Sequence, residues 1–175
     1  MMLLALFAYA FISNVALAVV PHEPVVVWYG PRVGIWVTAV VATAGTVVAA
    51  FVDHRLFMPL VQRLGRRYRV ADPGAMPRGF ARAVTRTFAR APFAIIALSG
   101  LTPLPFFPFK AMAFTHGYPL GRYVAAVAAG RLPRYALLAW LGIVIHIPAW
   151  ILALVFVLLL IPSLRMLAWP RPTAN

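Results

Sequence analysis

The sequence predicts an all-α polytopic membrane protein, an inverted repeat with two Pro-rich re-entrant hairpins and about three full spans. Three observations predict it. Of 175 residues, 63% are hydrophobic and only 11% are charged, whereas a soluble domain runs nearer half and a quarter. A water-soluble fold of this length has too little interior to hide that much apolar surface. Four uncharged stretches, 1–20, 33–52, 91–109 and 135–161, come close to or exceed the ~20 residues with which a helix crosses a bilayer. The third observation is a weak internal repeat: Gly34-Ile35-Trp36-Val37-Thr38-Ala39-Val40 echoes Gly121-Arg122-Tyr123-Val124-Ala125-Ala126-Val127. A Pro-x-x-Pro precedes each, Pro21 to Pro24 and Pro105 to Pro108. Paired, proline-interrupted segments in two halves are the sequence pointer to an inverted-repeat transporter. The length suits one domain, 1–175.

The first region, 1–31, begins without charge. Ala16-Leu17-Ala18 has the look of a signal-peptidase site, but a signal peptide wants a basic start and the first Arg is Arg32. The segment is expected to be mature membrane structure. Pro21-His22-Glu23-Pro24 breaks it, so it reads either as a re-entrant hairpin or as a Pro-kinked span. The stretch 33–52, with no Pro and no charge, is the plainest span.

Residues 53–90 hold nine Arg and two Asp, a net +7, which the positive-inside tendency places in the cytoplasm. Arg78, Arg82, Arg86 and Arg90 recur every four residues, and Phe80, Val84 and Phe88 recur offset by two. That sets an apolar stripe opposite a basic one, as in a helix lying in the membrane interface. Leu56, Leu60, Leu64 and Tyr68 make a similar stripe, and Pro73, Gly74 and Pro77 separate the two helices. The plainer alternative is a topogenic loop with no further role.

The stretch 91–118 carries Pro92, Pro103, Pro105 and Pro108 beside Ser99-Gly100. Each interior Pro removes a backbone hydrogen bond, and broken backbone survives at membrane depth only where protein or a wet cavity surrounds it. A second re-entrant hairpin is the natural reading, a kinked span the bland one. The last third fits two spans, 120–142 and 148–164, with His146-Ile147-Pro148 at the turn. That puts Arg131 near mid-membrane. A helix break at Gly130–Pro133 would instead leave Arg131 and Arg134 at an interface, where long side chains snorkel.

The segment Gly130-Arg131-Leu132-Pro133-Arg134-Tyr135, following Leu101-Thr102-Pro103-Leu104-Pro105-Phe106, resembles the second half of the DedA/VTT (SNARE-associated Golgi protein) family. That family has an L-T-P-x-P-F hairpin and a G-R-x-P-R step. Glu23 between prolines, Gly45, Asp53 and Gly65-Arg66-Arg67 fit its first half more loosely. Where family members often carry Arg before L-T-P, this chain has Gly100. The resemblance implies two facing hairpins, an inverted repeat and movement of lipids between leaflets, with phospholipid or undecaprenyl phosphate as cargo and proton coupling in some members. Arg131, Arg134 and Arg122 would then supply donors suited to phosphate, along a path past Pro103 and Pro105. Glu23 and Asp53 are the candidate coupling acids. Glu23 reads as a proton carrier or as the partner of a membrane Arg, and Asp53, at a helix–loop junction, reads more as an interfacial residue.

Fifteen Arg and one Lys against Glu23, Asp53 and Asp72 give a net +13. In so apolar a chain this implies topology-setting loops and anionic lipid headgroups as partners, rather than nucleic acid. A homo-oligomer is compatible with the sequence. Without Cys there are no disulfides, thiolate metal sites or thiol nucleophiles. The four His are scattered without a His-x-x-x-His pair, and there is no nucleotide-cradling loop. Neither a metal nor any other cofactor is expected. An enzyme is not expected either, although Ala97-Leu98-Ser99-Gly100 is similar to the intramembrane serine protease signature, with His146 as a candidate base. A non-transporting assembly or membrane-shaping protein is the remaining alternative. A bacterial plasma membrane is the expected location.

Overall fold

The computed structural model describes residues 1–15, 21–68, 86–88, 90–102, 107–145 and 147–168. Every regular element among them is helical: α1 Met2–Asn14, α2 Glu23–Val33, α3 Ile35–Tyr68, α4 Pro92–Leu101, α5 Phe107–Thr115, α6 Leu120–Ile145 and α7 Ala149–Ala168. Two of them, over Ile35–Leu60 and Leu120–Ile145, are long and apolar enough to cross a membrane. Each of these 26-residue stretches is about 39 Å long, against ~30 Å of hydrocarbon.

Prolines and glycines set the boundaries. Pro24 and Pro92 stand in the first turns of α2 and α4, where the missing N–H costs nothing. Gly34 and Gly117, with φ of 90° and 65°, turn the chain just ahead of α3 and α6, a conformation that side chains with a Cβ resist. The arms α1, α2, α4 and α5 have 13, 11, 10 and 9 residues, so each is about half a bilayer long at 1.5 Å per residue.

The arms pack in a crossed pattern. α1 lies on α3 and α4 on α6, each first arm against the long helix of its own half. α2 lies on α6 and α5 on α3, each second arm against the long helix of the other half. α3 and α6 run antiparallel, since Thr46 meets Tyr135 while His54 meets Tyr123. α4 climbs alongside α6, with Ala97 against Gly130 and Thr102 at Arg134. α5 descends again, bringing Phe114 to Tyr123.

The burial pattern suits a lipid environment. The inner face of α3 carries Thr38, Ala39, Ala42, Thr46, Ala49, Ala50 and Asp53, the small and polar types that let helices approach without a hydrophobic driving force. Its outer face shows Trp36, Val40 and Phe51, and the outer face of α6 shows Leu137, Trp140 and Val144. Four glycines hold helices backbone to backbone. A Cβ on Gly30 would stand 2.2 Å from Ala139 O, on Gly142 2.1 Å from Val27 O, on Gly130 2.1 Å from Ala97 O and on Gly45 2.5 Å from Phe7 O.

Two boundaries differ from the sequence expectation. The span expected over 33–52 continues as one helix to Tyr68, so the stripe beginning at Leu56 belongs to α3. Nothing between Val52 and Met58 breaks a helix; the onset of charge marks where the apolar face ends, not where the helix does. Asp53, expected at an interface, is therefore inside the helix and buried. In the last third, α6 continues unbroken through Pro133 to Ile145, which excludes the break at Gly130–Pro133. Of the expected helix near 78–90, Arg86 and Arg90 are exposed and Phe88 is buried. Arg78, Phe80, Arg82 and Val84 lie outside the described residues, as does the turn residue His146.

Candidate functional site

The ends of both short-helix units meet at α6. Glu23 is the first residue of α2, so its carboxylate sits at the positive end of a helix. Glu23 Oε2 accepts the N–H of His22 at 3.1 Å, closing the helix start on itself. Its other oxygen, Oε1, accepts Arg134 Nη2 at 2.6 Å. Arg134 Nη1 donates in the opposite direction, to Thr102 O at 2.8 Å and more weakly to Gly100 O at 3.4 Å. Those are carbonyls at the negative end of α4. One guanidinium thus satisfies the carboxylate of one unit and the frayed backbone of the other.

One turn earlier, Arg131 is 3% exposed. Its Nη1 lies 3.0 Å from His22 Nε2. A guanidinium has no acceptor, so Nε2 accepts, and the imidazole is neutral with its proton on Nδ1. The 3.7 Å approach of His22 to Glu23 is accordingly not an ion pair. His22 also meets the edge of Tyr135 at 5.4 Å between centroids. Thr46 gives its one proton to Ala42 O, so Tyr135 donates to Thr46 Oγ1 at 2.9 Å. Tyr9 donates to Pro21 O at 2.7 Å and ties α1 to the start of α2.

A second buried ion pair joins α5 to α3. Lys110 Nζ donates to Asp53 Oδ2, with the two side chains 5% and 1% exposed. His54 Nε2 donates to Tyr118 O at 2.8 Å, and its ring packs beside Phe114 and Tyr123. The Tyr123 hydroxyl is buried without a hydrogen-bond partner among the described residues.

Of the residues singled out from sequence, Glu23, Arg131 and Arg134 come together. Asp53 stands apart with Lys110. Arg122 is exposed in the first turn of α6, away from the cluster, and Pro103 and Pro105 lie outside the described residues. The Ser99 hydroxyl donates to Ile96 O at 2.8 Å within α4. Sequence reasoning passed over Lys110 and His22. Lys110 had a visible signal: it is the only Lys in the chain, and the spacing that aligns Gly34 with Gly121 also aligns Glu23 with Lys110. Among the described residues, no three His, Asp or Glu side chains gather to hold a metal ion.

What the arrangement can do is hold an anion. Two guanidinium groups, a neutral imidazole and the positive end of α2 converge there, with Glu23 30% exposed beside Arg134. No family model matches the chain, and no curated protein and no solved structure matches it.

Proposed function

We propose that the chain is a multi-pass membrane protein that moves phosphate-bearing lipids between leaflets, in the manner of the DedA/VTT family. In this reading α1–α2 and α4–α5 are re-entrant hairpins whose tips meet at mid-membrane. α3, α6 and α7 are the full spans, and the basic segment after α3 is cytoplasmic in a bacterial plasma membrane. The observation that carries the reading is Arg134, which bonds Glu23 of one unit and the α4 carbonyls of the other. A headgroup phosphate crossing hydrocarbon needs a cationic, hydrogen-bonding surface at that depth. Arg131 and Arg134 supply it, and Glu23 holds Arg134 until cargo replaces the carboxylate. Protonation of Glu23 would release Arg134 in the same way, which gives a route for proton coupling. Cargo is the membrane's own lipid, so the reading calls for no enzyme chemistry and no cofactor.

The test uses purified protein in phosphatidylcholine vesicles carrying a trace of fluorescent phosphatidylglycerol. An external quencher should reach label that began in the inner leaflet. Arg131→Ala/Arg134→Ala, checked for helicity and monodispersity, should confine quenching to the outer leaflet. If the double variant exposes label as fast as the parent, this site does not carry the lipid. If the parent exposes none under any gradient, a non-transporting assembly role takes its place.

A further inference from the structure

The Asp53–Lys110 pair lies outside the hairpin-tip site, and its setting differs from the other arm crossings. α1 meets α3 at Gly45, α4 meets α6 at Gly130, and α2 meets α6 at Gly30 and Gly142, all through backbone contact. At the crossing of α5 with α3, no glycine contact of this kind is found among the described residues. There, Lys110 and Phe114 meet Asp53 and His54 through side chains. α5 is therefore the arm held to its long helix by side chains rather than at a glycine.

What opposes parting is the ion pair together with the apolar cluster that Met112 and Phe114 of α5 share with Ala50 of α3. Pulling apart two charges that are almost wholly buried strands both in a medium that solvates neither. The electrostatic part of that opposition falls away if another anion takes the place of Asp53 at Lys110. The residues nearby are arranged for that exchange. Arg131, buried on α6 one turn from Arg134 and bonded to His22, is the cationic group between the hairpin-tip site and the rest of α6. The Tyr123 hydroxyl, buried, near enough to Asp53 to interact with its charge and without a partner among the described residues, can donate to a released carboxylate. A phosphate, with several acceptor oxygens, suits both ammonium and guanidinium.

We propose that Lys110 is a second phosphate-binding position and that Asp53 is its resident placeholder. A phosphate group arriving from Arg131 displaces the Asp53 carboxylate toward Tyr123, and α5 swings off α3. The pair is thus a latch opened by cargo and shut in its absence. The proposal rests on the lipid reading for the source of the phosphate; the latch chemistry itself would serve a soluble phosphate equally.

The chain has no Cys, so one introduced thiol reports the latch. Ala50 is 5% exposed on α3, one turn before Asp53, in the cluster that includes Met112 and Phe114 of α5. The full chain carrying Ala50→Cys is placed in phosphatidylcholine vesicles, whose headgroup phosphate is already neutralised by its own choline ammonium, and its labelling by a maleimide is timed. Adding phosphatidylglycerol should raise the labelling rate by about tenfold, a one-decade shift in the open population. The neutral set Ala50→Cys/Asp53→Asn/Lys110→Gln removes both charges without stranding either. It should label at one rate with or without phosphatidylglycerol.

If labelling of the introduced thiol is indifferent to added phosphate in every form, the latch is overturned. It is overturned equally if the neutral set keeps the parent's response. Acceleration by sodium phosphate in plain phosphatidylcholine vesicles keeps the latch but assigns it a soluble ligand, against the lipid reading. Fluorescent lipid translocation measured on the same vesicles separates the two ideas. Response without translocation sinks the lipid reading alone, and translocation without response sinks the latch alone.

Discussion

The two second arms, α2 and α5, make the same kind of crossing with the charges exchanged. α2 brings an acid, Glu23, to a base on α6. α5 brings a base, Lys110, to an acid on α3. Their surroundings are not equivalent. Glu23 is 30% exposed and Arg134 has carbonyl acceptors besides it, whereas Asp53 and Lys110 are sealed. The difference teaches that two matching crossings can both hold a charge pair and differ in its accessibility. The Glu23–Arg134 pair is open to solvent on one side, while the Asp53–Lys110 pair is enclosed on all.

Mutations can break that comparison. Lys110→Ala leaves Asp53 buried beside a lost partner and should cost roughly 3–5 kcal/mol, the penalty for stranding a buried charge. The check is the denaturation midpoint in detergent, or failure to recover monodisperse protein. Glu23→Ala should cost about 1.5–3 kcal/mol, the range for a hydrogen bond to a charged group, because Arg134 keeps its carbonyl acceptors. Equal penalties for the two would refute the claimed asymmetry. Salt sharpens the contrast. Raising ionic strength shortens the Debye length from ~10 Å at 0.1 M to ~3 Å at 1 M, so the Glu23 penalty should shrink and that of Lys110 should not. Tyr135→Phe, which deletes the bond to Thr46, should cost ~1 kcal/mol. Tyr123→Phe should leave resting stability unchanged or slightly raised, since its hydroxyl has no partner among the described residues.

Much of the helical outline was legible because prolines, glycines and uncharged runs act locally. The short helices beside Pro21–Pro24 and on either side of 103–106, and the long helix after Gly34, follow from such signals. What sequence could not supply were the pairings. Asp53 looked interfacial because charge begins there, and only the tertiary placement of α5 makes it a buried partner. Glu23 gave two readings, and its contact with Arg134, 111 residues away, is set by the crossing of α2 onto α6. Lys110 was overlooked because a single Lys among many Arg gives no periodic signal. Its significance emerges only when the repeat is carried through to individual charges.

The glycine contacts divide the molecule mechanically. α2 and α4 are bonded so closely to α6 that these three must travel as one block, and α1 is joined to α3 in the same way. Amide hydrogen exchange should reveal the partition as a difference in time. Protons of α5, held by side chains, should be replaced by deuterium well before those of α4, although the two arms differ by a single residue in length. The order of exchange follows from where a methyl group cannot be accommodated.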